Sequence, residues 1–341
     1  MSHATYLQPA EWERHSACWL AWPSHGHLWQ ANLAPAQAEV AALCQAIAED
    51  GGEALELLVQ DDRAEAEARR VLTPVLAQVR FHRVPVGDIW LRDTAPIFVK
   101  DGQGALQAAC FRFNGWGGKY ELPGDDQVAA RVAGITGRPR LDHPWILEGG
   151  SIEADGQGTV LTTRQCLLNP NRNPGMDQGD IEAALRDSLG AEKVLWLEEG
   201  LLNDHTDGHI DTLARFVAPG VVVCMEAGDA ADPNAATLER IAGDLACMTD
   251  ARGRRLRVLR IPSPGLLEDE EGEPMPASYV NFYIGNRTVV VPTYGRAHDG
   301  AAVAALTPLF PGRRVLGRSA RAILSGGGAF HCITQQQPEV R

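Results

Sequence analysis

The chain of 341 residues lacks several features that would place it in a common class of protein. None of its seven cysteines forms a Cys-x-x-Cys pair, so neither a zinc knuckle nor a disulfide framework is indicated. No cluster of lysine and arginine offsets the formal charge of −13, which argues against nucleic acids and anionic membranes as partners. The motif Gly-x-Ser-x-Gly and the phosphate-binding loop are also absent, which excludes two familiar classes of enzyme.

Two further absences concern location. The N-terminus has no basic start followed by an apolar run, so no secretory signal is predicted, and no apolar run is long enough to cross a bilayer. Unpaired cysteines without a signal fit a reducing compartment, and we therefore expect a cytoplasmic protein. At about 150 residues per domain the length corresponds to roughly 2.3 domains, although one large α/β domain is equally allowed.

Hydrophobic periodicity predicts strands that alternate with helices, which is typical of an α/β or α+β protein. The predicted helices cover residues 35–50, 181–189, 237–248 and 301–309. The predicted strands cover residues 55–59, 88–99 with a break at Pro96, 193–197, 213–217, 221–225, 288–292, 314–316 and 322–324.

The segment from Asp204 to Asp211, Asp-His-Thr-Asp-Gly-His-Ile-Asp, is denser in ionisable groups than any other. If it is extended, side chains alternate between faces, so Asp207, His209 and Asp211 share one face, which His205 would join. A histidine beside carboxylates is a standard acid–base arrangement. The alternative is a polar loop that caps the following strand.

Three glycines precede Cys332 in the segment 325–338, and glycines allow close approach of backbone and substrate. Cys332 is either a nucleophile or a buried thiol, and its location alone does not decide between them. Its neighbour His331 is a poor base for it, because adjacent residues of an extended chain point to opposite faces. His209 is the better base.

Asp93 and Glu148 each lie within or beside an apolar run, where an unpaired charge is costly. Each is either a site residue or half of a structural ion pair, for which Arg92 is one partner. Several carboxylates around a thiol are unusual for acyl transfer, which must stabilise an oxyanion. They suit a guanidinium, whose planar fork of N–H donors matches carboxylates. Its poorly electrophilic carbon requires a strong nucleophile such as a thiolate.

Two rival readings remain open at this point. His205, His209 and Asp211, with His331, offer the ligand types of a zinc hydrolase, although Gly208 and an extended segment count against that geometry. The other rival is a non-catalytic protein that captures guanidinium compounds through its acids alone.

Four segments resemble the agmatine deiminase family, which is related to bacterial peptidylarginine deiminases. They are Trp90-Leu-Arg-Asp-Thr-Ala-Pro96, Glu148-Gly-Gly-Ser-Ile152, Asp207-Gly-His-Ile-Asp211 and Gly326-Gly-Gly-Ala-Phe-His-Cys-Ile-Thr-Gln-Gln-Gln-Pro338. Residues 167–174 and 277–284 match as well, so the likeness extends from Trp12 to Pro338. It implies one guanidine-modifying domain over residues 1–341, an α/β fold in the form of a five-bladed, pseudosymmetric propeller of the pentein type with its site near the axis.

The resemblance also implies roles for the motif residues. Cys332 is expected to form a covalent amidino-thioether, while His209 protonates departing ammonia and then activates water. Glu148 is expected to support His209 and the substrate, and Asp93 and Asp211 to hold the guanidinium. The further residues expected to contact the substrate are Trp90, His205 and Asp207. No metal and no organic cofactor is implied; the expected partner is a small cationic guanidine compound, and a homo-oligomer is left open.

The implied substrate is agmatine, which would yield N-carbamoylputrescine and ammonia. Free or peptidyl arginine is the alternative, because the family pattern Asp-Glu-Thr-Asn-Gly-His is Asp204-His-Thr-Asp-Gly-His209 in this chain. The glutamate expected to meet the distal ammonium of agmatine is thus His205, and a neutral imidazole attracts an amine less than a carboxylate does. The segment 22–29 departs from the family pattern too.

Overall fold

Sixteen strands form five small sheets in this computed structural model, which describes residues 6–229 and 231–340. The strands are β1 His15–Ala21, β2 Ala54–Val59, β3 Val79–Arg83, β4 Ile97–Lys100, β5 Leu106–Arg112, β6 Arg140–Ile146, β7 Ile152–Ala154, β8 Thr159–Thr163, β9 Lys193–Leu197, β10 Ala214–Ala218, β11 Val221–Glu226, β12 Arg257–Pro262, β13 Tyr283–Ile284, β14 Thr288–Thr293, β15 Arg314–Ser319 and β16 Gln335–Pro338. The helices are α1 Gly26–Trp29, α2 Leu33–Ala48, α3 Asp62–Val71, α4 Leu91–Thr94, α5 Gly115–Gly118, α6 Val128–Thr136, α7 Arg164–Leu167, α8 Gln178–Leu189, α9 Ala235–Cys247, α10 Asp299–Leu306 and α11 Arg321–Leu324.

One structural unit repeats around the molecule. An antiparallel pair of strands is followed by a helix and then by a strand parallel to the second one, as in β4–β5–α6–β6. The units β7–β8–α8–β9, β10–β11–α9–β12 and β13–β14–α10–β15 have the same order. The helix is required because parallel neighbours need a long crossover, whereas antiparallel ones need only a turn. We call each such unit a blade.

The remaining blade is closed by the two ends of the chain. Its strands β1 and β2 are parallel and connected through α2, and β3 extends the sheet. The antiparallel partner of β1 is β16, which pairs Gln336 with Cys18. The five repeats confirm the predicted five-bladed, pseudosymmetric α/β propeller. That the chain is one domain over residues 1–341 stays a prediction.

Apolar side chains of the strands and of the inward helix faces form the core. In α2, Val40, Leu43 and Ile47 are buried at helical spacing, and in β11 Val222 and Val223 are buried. Burial of each such side chain contributes about 1.5–3 kcal/mol. None of the helices in the described part of the chain is both long and apolar enough to span a membrane.

The four predicted helices are confirmed, and so are most of the predicted strands. The strand predicted over 88–99 is wrong in its first half, where the chain forms α4 and resumes as β4 after Pro96. The strand predicted over 322–324 is wrong as well, because these residues belong to α11. Short apolar runs are ambiguous by periodicity, and here tertiary burial selects a single helical turn in both places.

Candidate active site

A cavity of about 240 Å³ opens beside Cys332. Its walls are mainly aromatic, with the indoles of Trp29, Trp90 and Trp116, and the backbone of 326–328 forms another side. A side chain at Gly328 would lie 3.1 Å from the sulfur of Cys332, so the glycine keeps the space beside the thiol open. An apolar slot with a thiol at one side suits a small ligand that has an apolar body.

The polar residues of the site come from equivalent positions of the five blades. Each lies two to four residues before the first strand of an antiparallel pair. Asp93 precedes β4, Glu148 precedes β7, Asp211 precedes β10, Asn281 precedes β13, and Cys332 precedes β16. The repeated fold therefore brings five distant segments to one place near the axis. We call Asp93, Glu148, His209, Asp211 and Cys332 the axial cluster.

Cys332 is the nucleophilic atom type in this cluster. Its Sγ lies 3.5 Å from Asp211 Oδ2 and 3.1 Å from the Asn281 amide nitrogen, which donates to it. Burial raises the pKa of Cys332 well above its usual range, and the charges of Asp211 and Asp93 add to the effect. Without a nearby positive charge the sulfur is therefore a thiol.

Asp93 lies on the cavity wall and is held by two donors. Its Oδ1 accepts a hydrogen bond from Gly150 N at 2.8 Å, and its Oδ2 accepts one from Trp116 Nε1 at 2.9 Å. Burial raises the pKa of Asp93 to about 8, and nearby Asp211 and Glu148 contribute. A Cβ at Gly150 would lie 2.9 Å from Asp93 Oδ1 and 2.7 Å from His209 Nδ1, so only glycine leaves these groups together.

Asp211 is fully buried and has a different environment. Its Oδ2 accepts a hydrogen bond from His331 Nδ1 at 2.7 Å, and its Oδ1 has no hydrogen-bond partner among the described residues. Burial alone would raise the pKa of Asp211, yet the hydrogen bond and charge of His331 hold it below the ordinary value. One oxygen of an ionised carboxylate is thus left for a ligand.

His209 and Glu148 are buried and are not among the residues that line the cavity. His209 Nδ1 is 3.8 Å from Asp93 Oδ2, and burial lowers the pKa of His209 to about 3, so the ring is neutral. Glu148 Oε1 accepts a 2.7 Å hydrogen bond from Arg172 Nε, and burial raises the pKa of Glu148 against the opposing charge of Arg172. Glu148 Oε2 and His209 Nε2 have no partner among the described residues.

Potential metal ligands come together at one place in the described ranges 6–229 and 231–340. Glu148, Cys166 and His209 offer ligand atoms within 4.8 Å of one another. A group of three ligands is one fewer than a closed structural zinc site holds, and Glu148 in this group is paired with Arg172. The zinc site considered from His205, His209, Asp211 and His331 is not assembled there.

The segment 204–211 is not extended, so the prediction that its alternate residues share one face is wrong. Asp207 has φ 65° and Gly208 has φ 82°, which turn the chain back before the short helical turn Ile210–Thr212. Asp207 consequently accepts hydrogen bonds from Lys119, Asn171 and Arg172 and lies outside the residues that line the cavity.

The other two predicted substrate contacts, Trp90 and His205, both line the cavity. Trp90 lines the cavity, and its indole donates to Asp88 Oδ2 at 2.8 Å. His205 is exposed at the entrance, where its Nδ1 is 2.9 Å from Tyr120 Oη. Beyond this entrance an open groove is lined by Asp269 and Glu273 among others.

The premise about His331 is also wrong, because the chain turns at residues 331–333 instead of extending. His331 and Cys332 both approach Asp211 Oδ2. Sequence reasoning gave no role to Asn281, Arg172, Glu11, Asp88 or Trp116. For Asn281 and Arg172 a signal existed, since both lie in linking segments that match the family.

The sequence profile of the Porphyromonas-type peptidyl-arginine deiminases matches residues 7–338. The agmatine deiminase of Stutzerimonas stutzeri is 39% identical, over 98% of this chain and 95% of the relative. The agmatine deiminase of Enterococcus faecalis superposes with a TM-score of 0.92 and 32% identity, over 100% and 99% of the two chains. An agmatine deiminase from C. jejuni, solved with substrate bound, superposes with a TM-score of 0.90 and 26% identity. The match covers 100% of this chain and 98% of that one.

Proposed function

The chain belongs to the Porphyromonas-type peptidyl-arginine deiminase family, and we propose that it hydrolyses agmatine to N-carbamoylputrescine and ammonia. The observation that carries this proposal is a thiol among three buried carboxylates, two of which keep an oxygen without a partner among the described residues. Burying a carboxylate costs free energy unless a cation pairs with it. A planar guanidinium supplies both the charge and the paired donors.

Agmatine fits the cavity in an orientation set by these groups. We place its guanidinium between Asp93, which lines the cavity, and Asp211, whose Oδ2 is buried 3.5 Å from the sulfur of Cys332. Its methylene chain then packs along Trp90 and the neighbouring indoles. Asp88 also lies on the cavity wall, where it accepts hydrogen bonds from Trp29 and Trp90, and its charge attracts the distal ammonium.

The arrival of the cation activates the nucleophile. Asp211 and Asp93, which raise the pKa of Cys332, are neutralised by the bound guanidinium. A positive group beside the sulfur lowers the pKa of the thiol and stabilises the thiolate. Reactivity therefore develops when the substrate is in place.

In the first half of the reaction the sulfur of Cys332 attacks the guanidinium carbon. A carbon–sulfur bond forms, and the bond from carbon to one terminal nitrogen breaks. The proton of the thiol reaches that nitrogen through neutral His209, so that the leaving group is NH₃. Glu148 lies beside His209 and stabilises the ring while it carries the proton. The product of this half is an amidino-thioether cation on Cys332.

In the second half water replaces the sulfur. His209 removes a proton from water, whose oxygen attacks the same carbon, and the carbon–sulfur bond breaks. One of the two protons of the water returns to the sulfur. The other is transferred to ammonia. The products are N-carbamoylputrescine and ammonium. His209 serves in both halves because its low pKa keeps it unprotonated at rest.

The experiment is a comparison of ammonia release from agmatine, free arginine and arginine peptides, with mass spectrometry of protein quenched during turnover. We expect agmatine to have the highest kcat/KM, together with an adduct on Cys332 whose added mass is that of agmatine less ammonia. Preference for arginine would instead favour the second candidate, a deiminase of another guanidine compound, which His205 at the entrance supports. Absence of turnover and adduct with every substrate would refute deimination.

A further inference from the structure

His331 is enclosed between two acids on opposite sides of its ring. Its Nδ1 lies 2.7 Å from Asp211 Oδ2, and its Nε2 lies 2.8 Å from Glu11 Oε2. The side chain is only 2% exposed, so water does not compete for either nitrogen. Where both carboxylates are ionised they can only accept hydrogen bonds, and both ring nitrogens then donate. A ring with protons on both nitrogens is an imidazolium.

The rest of the buried network accounts for its own charges without His331. Glu11 also accepts hydrogen bonds from Arg92 and Arg215, and Arg215 in addition binds Glu153. Two guanidinium groups thus face two carboxylates. The positive charge on His331 is the one left to face Asp211, the residue whose other oxygen has no partner among the described residues.

We propose that His331 is a positioning residue of the deimination reaction, a buried imidazolium that keeps Asp211 ionised and leaves its Oδ1 for the substrate guanidinium. The inference rests on the proposed function, because only in that reaction does an ionised Asp211 bind the substrate guanidinium. Asp93 provides the contrast within the same cluster: among the described residues it accepts hydrogen bonds only from a backbone amide and an indole, and no cation there is in hydrogen-bond contact with it. The pKa of Asp93 is raised, whereas that of Asp211 is lowered.

The expected pH dependence follows from the groups around Asp211. They are His331 and Cys332 on the segment before β16, Asp204 and His209 on the loop that precedes Asp211, Asp93 on α4, and Arg215 on β10; Glu11 with Arg92 faces His331. Without the imidazolium, burial raises the pKa of Asp211, so at low pH this residue is protonated and binds a cation poorly. At high pH it ionises again and binding recovers.

The test measures agmatine binding by calorimetry between pH 6.5 and 9 in a Cys332→Ser background, which prevents turnover. His331→Asn keeps a neutral donor toward Asp211 but removes the charge. We expect it to weaken binding about tenfold at pH 6.5, with the loss shrinking toward pH 9. A loss that is equal at every pH would overturn the proposal, because a purely structural role has no reason to follow this titration.

His15→Asn is a matched control, since His15 is also buried against a carboxylate, Glu53. It should leave the pH dependence of agmatine binding unchanged. A second measurement needs no substitution: nitrogen NMR of the ring of His331 in the unaltered protein at pH 7.5. Protons on both nitrogens support the proposal even if His331→Asn does not fold, and a proton on one nitrogen only would contradict it. The spectrum does not involve agmatine, so a failure of agmatine to bind would count against the proposed function alone.

Discussion

The axial cluster and the entrance of the cavity are built in opposite ways. Around the axis, Asp211 and Glu148 are completely buried, and each is held by a buried cation from another part of the chain. At the entrance, Tyr120 is 44% exposed and His205 is exposed as well, and their hydrogen bond connects two surface loops. A buried charge without its partner is costly, whereas an exposed one is screened by water. The reaction chemistry is therefore determined by the buried groups near the axis, whereas residues at the entrance can be replaced at little cost in stability.

Within the axial cluster, the substitution with the largest expected effect on activity is Cys332→Ala. We expect kcat to fall by at least about 10⁴-fold, because no other group can form the covalent intermediate. Agmatine binding should persist, since Asp93 and Asp211 remain. The exposed Cys247 provides a control, and Cys247→Ala should retain the activity of the parent. Turnover by Cys332→Ala comparable to that of the parent would rule out the covalent mechanism.

Asp93→Asn removes half of the proposed guanidinium clamp. We expect kcat/KM to fall roughly 10²-fold through loss of a charge-assisted pair. The pH profile is a second readout: with a pKa raised to about 8, Asp93 is protonated below that value and ionised above it. In the parent, kcat/KM for a cationic substrate should therefore rise as pH increases from 6 toward 8. A rise that survives unchanged in Asp93→Asn would assign it to another group.

At the entrance, His205→Glu restores the carboxylate of the family pattern. Exposed ion pairs contribute little, so we expect the KM for agmatine to fall only about two- to fivefold, with kcat unaffected. Added salt should reduce the gain by screening. Butylguanidine, which has the same chain without the amine, is the matched substrate and should show no change. An equal gain with both substrates would mean that His205 does not face the tail.

Exhaustive chelation should have the smallest effect. Glu148, Cys166 and His209 are the three potential ligands in the described residues, and the proposed steps use none of them as a metal ligand. We expect dialysis against a strong chelator to leave kcat/KM unchanged, and elemental analysis to find no stoichiometric metal. Activity that disappears on chelation and returns with zinc would refute this expectation and make the axial side depend on a metal.

The sequence predicted the repeating α/β pattern well, because buried β-branched strands such as β11 and amphipathic helices such as α9 carry strong local signals. It failed where three or four residues decide, as in α4 and α11. It failed also at Asp207, whose φ of 65° no periodicity reveals. The roles of Arg172 and Glu11 escaped because they act through partners that are far away in the chain.

By itself, the sequence determined the reactive groups of this protein: a cysteine after three glycines, a histidine among acids, and acids within apolar runs. It also indicated the family, because the order and spacing of the motifs can be recognised in the sequence alone. Only the tertiary structure decided which oxygens and nitrogens remain free and which carboxylate faces a cation. Protonation depends on burial and on neighbours at distances of a few ångströms, and those distances arise only when the five blades bring their loops to one axis.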